Sequence, residues 1–176
     1  MNLHSENNEA YRSSEFQENL EILRQIYFFS GFPLEALKVI AYICTRVTFK
    51  QGEYLFRQDD DDGQAFYIIS GTANLVYRNE EGGEQMIRDY NTGDFLGGIA
   101  LMDTMHRLFS LKAVTGVTCL ILPREKFLKA MEQFPDLVPK TIRSIIEGIC
   151  AWEKGFLIDH AVGCDACRRQ AGVSLV

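Results

Sequence analysis

The sequence predicts a mainly β domain with helices at both ends. Three observations carry that prediction. Between Thr45 and Pro123, runs rich in Val, Ile, Phe, Tyr and Thr are stopped at short intervals by Gly, Asp or Asn. Turn signals about every ten residues suit an all-β sandwich, roll or barrel. Inside these runs Val47/Phe49, Tyr54/Phe56 and Phe66/Ile68 show the period-two alternation of half-buried strands. Outside them, apolar residues recur at helical spacing.

Taken in chain order, residues 1–14 are polar and read as a flexible arm. Phe16, Leu20, Leu23 and Tyr27 then place an amphipathic helix over roughly 15–28. Ser30-Gly31-Phe32-Pro33 breaks it, and Leu34, Leu37, Ala41 and Cys44 mark a second helix face. The strand stops are Lys50-Gln51-Gly52, Asp59 to Gly63, Ser70-Gly71, Glu81-Gly82-Gly83, Asn91 to Asp94 and Thr115-Gly116. They leave room for about eight strands, which with their helices fill 15–134. Helical character returns at Arg124–Gln133. A longer helix follows Pro135, with Pro139 in its first turn, where proline is tolerated. That helix takes 135–160, and 161–176 reads as an irregular, cysteine-containing tail.

Composition narrows the function. The chain has 176 residues, 47% of them apolar, enough for one domain with a true core. A net charge of −6 argues against nucleic acid as a main partner. No apolar run approaches membrane-spanning length, and the polar start is not a signal peptide, so the sequence points to the cytosol and no membrane partner. Cys44, Cys119 and Cys150 lie singly in apolar segments and read as reduced core thiols. There is no Ser/His/Asp constellation and no Walker-type loop, so no catalytic residue is assigned and the chain is not read as an enzyme.

Four stretches carry a family resemblance: Gly52-Glu53-Tyr54-Leu55-Phe56, Phe66-Tyr67-Ile68-Ile69-Ser70-Gly71, Gly93-Asp94-Phe95-Leu96-Gly97-Gly98-Ile99-Ala100-Leu101, and Arg107-Leu108-Phe109-Ser110-Leu111-Lys112-Ala113. In this order and at these intervals they resemble the cyclic-nucleotide-binding domains of catabolite activator proteins and of cyclic-AMP-dependent kinase regulatory subunits. The resemblance covers about residues 30–155. It implies a jelly-roll-like β-roll with a short helix in a phosphate-binding cassette and a long C-terminal helix. It implies cyclic AMP or cyclic GMP as the ligand and no other cofactor. The ligand residues it implies are Gly97, Gly98, Ile99, Ala100, Arg107, Leu108 and Ser110. The chemistry is sound. A cyclic phosphate carries one negative charge, and helix N–H groups, close glycine backbone and a forked guanidinium all favour it. As a pocket residue Arg107 would be replaceable without loss of the fold. The alternative is that Arg107 pairs locally, with Asp103, or points to solvent.

Two departures stand out. The family's cassette glutamate, which accepts a hydrogen bond from the ribose 2′-hydroxyl, falls at Gly98. Putting Glu there is expected to restore that contact. Phe109 replaces the family's usual alanine and either fills the pocket or packs in the core. Asp94 belongs to the preceding turn and is not expected to replace the glutamate. The run Asp59–Asp62 reads as a solvated turn, since it lacks the spaced ligands of a calcium loop. Cys150, His160, Cys164 and Cys167 have metal-like spacing, but a single CxxC carries too few ligands and no metal is assigned.

In the last helix Val138, Ile142, Ile145, Ile149, Trp152 and Phe156 are spaced four, three, four, three and four apart. That is the alternation of a coiled-coil seam, so a homodimer through this helix is expected; one broad face packed inside the domain is the alternative. Only about sixteen residues follow His160, too few for a helix-turn-helix, which suits a stand-alone sensor or a fragment. The sequence thus offers three functions. One is a regulatory module binding a cyclic nucleotide or related phosphate and signalling through its last helix. Another is a ligand-free, dimerising scaffold for a protein partner. The third is a redox or metal sensor using Cys164/Cys167.

Overall fold

A computed structural model describes residues 3–156 and 158 of the chain. Two antiparallel four-stranded sheets form the body of the protein. The strands are β1 (Thr45–Phe49), β2 (Tyr54–Phe56), β3 (Gln64–Ser70), β4 (Thr72–Arg78), β5 (Glu84–Asn91), β6 (Phe95–Leu96), β7 (Ser110–Ala113) and β8 (Val117–Pro123). One sheet has the order β1-β8-β3-β6 and the other β2-β7-β4-β5. Helices α1 (Leu3–Gln25) and α2 (Leu34–Ile43) precede the roll. Helices α3 (Arg124–Gln133) and α4 (Leu137–Phe156) follow it. The β-roll with flanking helices expected from the sequence is the fold observed.

The two sheets bury different amounts for a simple reason. The first has the second sheet on one face and the helices on the other. Phe66, Ile68, Cys119 and Ile121 turn into the inter-sheet core, while Ala65, Leu120 and Leu122 pack with the helix residues Leu23, Ile40 and Phe127. That is why β8 reads as an almost unbroken apolar run. The second sheet covers only its inner face, and edge strand β5 is exposed along nearly its whole length. Each fully buried Phe, Ile or Leu contributes about 1.5–3 kcal/mol. The β3–β4 turn needs glycine at Gly71, where φ is +94° and a Cβ would lie 2.2 Å from the Gly116 carbonyl oxygen. Burial pushes the thiols of Cys44 and Cys119 up to about 12, so both are inert core groups, as their positions in apolar runs predicted.

The N-terminal expectations need correction. The arm predicted at 1–14 belongs to α1 from Leu3 onward. Helix propensity does not require an apolar face, so a polar run can be helical. The helix also stops early. Ile26 is extended, with φ −77° and ψ 119°, and Tyr27–Phe29 forms a single 3-10 turn. Phe28 and Phe29 are buried while Tyr27 points outward, 59% exposed. The helical spacing that placed Tyr27 on the buried face does not survive that change of pitch.

Candidate functional site

The site grows out of the end of β6. After Leu96 the chain turns through Gly97 at φ +82° into a short 3-10 helix, Gly98–Leu101, then loops to Arg107 and β7. Gly97 admits no side chain, because a Cβ would lie 2.7 Å from the Gln64 carbonyl oxygen and 2.9 Å from Arg107 Nη1. Gly98 is crowded differently. Its Cβ would lie 2.8 Å from Phe28 Cδ2 and 3.2 Å from Phe95 Cε1. The 3-10 turn that displaced Tyr27 has put the Phe28 ring where a side chain at 98 would begin.

Beside this turn lies a cavity of about 810 Å³. Gly97, Gly98, Ile99, Ala100, Arg107 and Leu108 all border it. Ser110 is not among the lining residues; its Oγ accepts a hydrogen bond from the Gln58 backbone N–H at 2.9 Å. The Ala100 amide, expected to face a phosphate, donates to the Gly97 carbonyl at 3.0 Å. Asp94 Oδ2 accepts from the Asn91 amide at 2.7 Å and serves its own turn. Phe109 does both things that strand alternation left open. It lines the cavity and packs 6.3 Å from the Phe56 ring in the inter-sheet core.

Arg107 borders the cavity as the cassette motif implied, and the alternative of a local pair with Asp103 or a solvent-facing side chain is not what is found. It is only 5% exposed and pairs with neither Asp103 nor solvent. Its Nε and Nη2 donate to Asp62 Oδ1 at 3.1 and 2.7 Å, and Nη2 also donates to the Gln64 carbonyl. The guanidinium lies over the Phe56 ring, 4.2 Å from its centroid. Backbone bonds reinforce the join: Asp59 N–H donates to the Arg107 carbonyl and Arg107 N–H to the Asp60 carbonyl, both at 2.8 Å.

The acidic run is therefore a brace as well as a turn. Arg124 forms a second clamp. It pairs with Asp61 and donates from Nε to the Ala100 carbonyl at 2.7 Å, tying the run to the cassette turn. The hydrogen bond from Arg124, and then its charge, hold the Asp61 carboxyl below the ordinary carboxylate range. The sign follows from linkage. A carboxyl depressed in the folded state adds stability above its unfolded value of about 3.9, and loses it as pH falls through the folded value. Thermal melts from about pH 2 to about pH 5 should show Asp61→Asn losing less stability on acidification than wild type. Parallel profiles would remove Asp61 from the acid response.

Sequence motifs missed most of the remaining wall. Tyr27, Phe28, Tyr67 and Tyr90 come from the 3-10 turn, β3 and β5, and Ser144, Ile145, Gly148, Ile149 and Trp152 come from α4. The aromatic runs were visible, but nothing local says that they converge. Two side-chain hydrogen bonds help to fasten α4 beside the cavity. Tyr27 Oη donates to Glu147 Oε2, and Lys140 Nζ donates to the Gly31 carbonyl at 2.9 Å. The expected seam thus divides: Ile145, Ile149 and Trp152 border the cavity, while Val138 and Ile142 are 40% and 45% exposed outside it. Among the described residues no group of three or more His, Cys, Asp or Glu is arranged to hold a metal. Cys150 is a free thiol but exposed, a correction to its reading as a core group, because it falls on the outer side of α4; His160, Cys164 and Cys167 lie outside the described residues.

A double-sheet roll with a cassette turn, a cavity and a helix along its rim defines the class of the fold, a β-roll with a lined pocket. The family description "Cyclic nucleotide-binding domain" matches residues 46–134, and the chain belongs to that family. It is 32% identical over 110 residues to a cAMP-dependent protein kinase regulatory subunit of Emericella nidulans, covering 62% of this chain and 26% of that one. It spans well under half the length of the curated relatives it matches first. Among solved structures, a cyclic nucleotide-binding-like protein from Brucella abortus is 28% identical, with a TM-score of 0.60 over 65% of this chain and 98% of the other. The regulatory subunit of a cAMP-independent protein kinase A from Trypanosoma cruzi, bound to guanosine, shares the fold at 18% identity and TM-score 0.59, over 70% of this chain and 44% of that one.

Proposed function

We propose that this chain is a regulatory sensor module. Its cavity takes a small nucleotide-derived ligand and reports occupancy through α4. One observation carries the reading: the cavity is walled by the cassette on one side and by Ile145, Gly148, Ile149 and Trp152 of α4 on the other. An occupant touches both, so binding and the position of α4 share one free energy. The cassette positions that the family uses, Gly97 to Ala100 and Arg107, border the same space. The reading assigns no catalysis and no nucleic-acid contact, and it places the module in the cytosol. No helix among the described residues is long and apolar enough to cross a membrane. Hydrogen exchange of the α4 amides, with and without saturating cyclic AMP, cyclic GMP, adenosine or guanosine, tests it. Added protection in α4 is expected from any compound that binds, and a bound compound that leaves α4 unchanged overturns the signalling role.

The exposed stripe on α4 favours a second reading, a homodimer through this helix, which is compatible with the first. Val138 and Ile142 are exposed and do not line the cavity, so they are free to face a second copy. Ile142→Asp should dissociate the dimer by burying an unpaired charge, while leaving the cavity intact. Light scattering reads it directly. A wild-type mass near 20.0 kDa at micromolar concentration would end the dimer reading.

A further inference from the structure

We propose that the ligand is an uncharged nucleoside, a flat base on a neutral sugar, bound in place of a cyclic phosphate. This deepens the sensor reading and rests on it. The argument is electrostatic and steric. Of the described residues that line the cavity, Arg107 alone carries a formal charge. Its guanidinium is already neutralised by Asp62 and capped by the Gln64 carbonyl. A phosphate that captured Arg107 would either break that pair or sit close to the Asp62 carboxylate. Asp62 Oδ2 is buried without a hydrogen-bond partner among the described residues, and the other guanidinium near it, that of Arg124, is already paired with Asp61. The Phe28 ring also occupies the approach to position 98, beside the turn whose backbone would have to meet a phosphate.

What the wall does offer is aromatic surface with neutral polar edges. Tyr27, Tyr67, Tyr90 and Trp152 border the cavity as aromatic side chains, with Gln25 and Ser144 as uncharged polar neighbours; Arg88 lies over the Tyr90 ring, Phe156 stacks on Trp152 and the Tyr27 hydroxyl is engaged by Glu147. Such a wall suits a heteroaromatic base on a neutral sugar. The α4 side has room for it, since a Cβ at Gly148 meets nothing within 4 Å. The guanosine found in the Trypanosoma cruzi relative shows that this fold accommodates a nucleoside.

Calorimetric titration of the full chain with adenosine, guanosine, cyclic AMP and cyclic GMP tests the proposal. At least one nucleoside should bind, about tenfold or more tighter than its cyclic phosphate. Asp62→Asn, which frees Arg107 but keeps an acceptor at Oδ1, should tighten the cyclic phosphates about tenfold and leave the nucleoside affinity unchanged. Gly148→Leu should abolish nucleoside binding while the fold persists by circular dichroism. A cyclic nucleotide that binds wild type as tightly as its nucleoside overturns the ligand class and leaves the sensor reading standing. No binding by any of the four compounds overturns both.

Discussion

Arg107→Ala is expected to destabilise the domain by about 2–4 kcal/mol, an effect larger than any it has on a ligand. The reason lies in what the side chain leaves behind. Asp62 Oδ1 would lose both guanidinium bonds, and Oδ2 has no partner among the described residues. Removing one member of a buried ion pair costs about 3–5 kcal/mol, and the figure is lowered here because Asp62 remains 18% exposed. The Phe56 ring also loses the guanidinium stacked on it. Urea denaturation measures the loss. A partner variant separates this account from simple loss of packing: Arg107→Ala with Asp62→Ala should cost less than the two single changes added together. If Arg107→Ala matches wild type within about 0.5 kcal/mol, Arg107 does not hold the cassette to the acidic run. The cassette motif implies that Arg107 holds a phosphate and can be replaced without loss of the fold; the buried pair with Asp62 is the reason for expecting the fold to suffer instead.

The roll was legible because its signals are local. The β region was bounded at Thr45 and Pro123, where β1 begins and β8 ends, and α3 was read with its observed limits. Turn glycines and β-branched runs act within a few residues of themselves. The site was only half legible, because its decisive contacts span long stretches of chain. Arg107 meets Asp62 across 45 positions and Arg124 meets Asp61 across 63. Four adjacent aspartates look the same in sequence whether they face water or brace a cassette. Phe28 illustrates the same limit. Helical periodicity gave Tyr27 the buried role, yet the break at Ile26 handed it to Phe28. That break puts the Phe28 ring where, together with Phe95, it crowds any side chain at position 98. The seam on α4 was read correctly as an apolar stripe, but a stripe does not declare which part will border a cavity and which will face outward.

Gly98→Glu is expected to fail as a repair of the cassette. It should destabilise the fold by about 3 kcal/mol or more and give no gain in cyclic-nucleotide affinity. The first atom of the new side chain would lie 2.8 and 2.9 Å from Phe28 Cδ2 and Cε2, closer than carbon atoms approach without displacement. Phe28 has little freedom to yield. It is buried, with ring centroids 5.0 Å from Phe29, 5.6 Å from Phe95 and 6.2 Å from Phe127. Overpacking of such a cluster costs about 1–3 kcal/mol, and a carboxylate set among rings adds the loss of its hydration. Gly98→Ala separates the two effects, since it carries the overlap without the charge and should cost only the first. Gly98→Glu combined with Phe28→Ala removes the overlapping ring, so the two losses should be less than additive. Urea denaturation gives the stabilities, and titration with cyclic AMP gives the affinity. A Gly98→Glu protein as stable as wild type, binding cyclic AMP more tightly, would show that Phe28 moves aside and that the missing carboxylate alone had kept the cyclic nucleotide out.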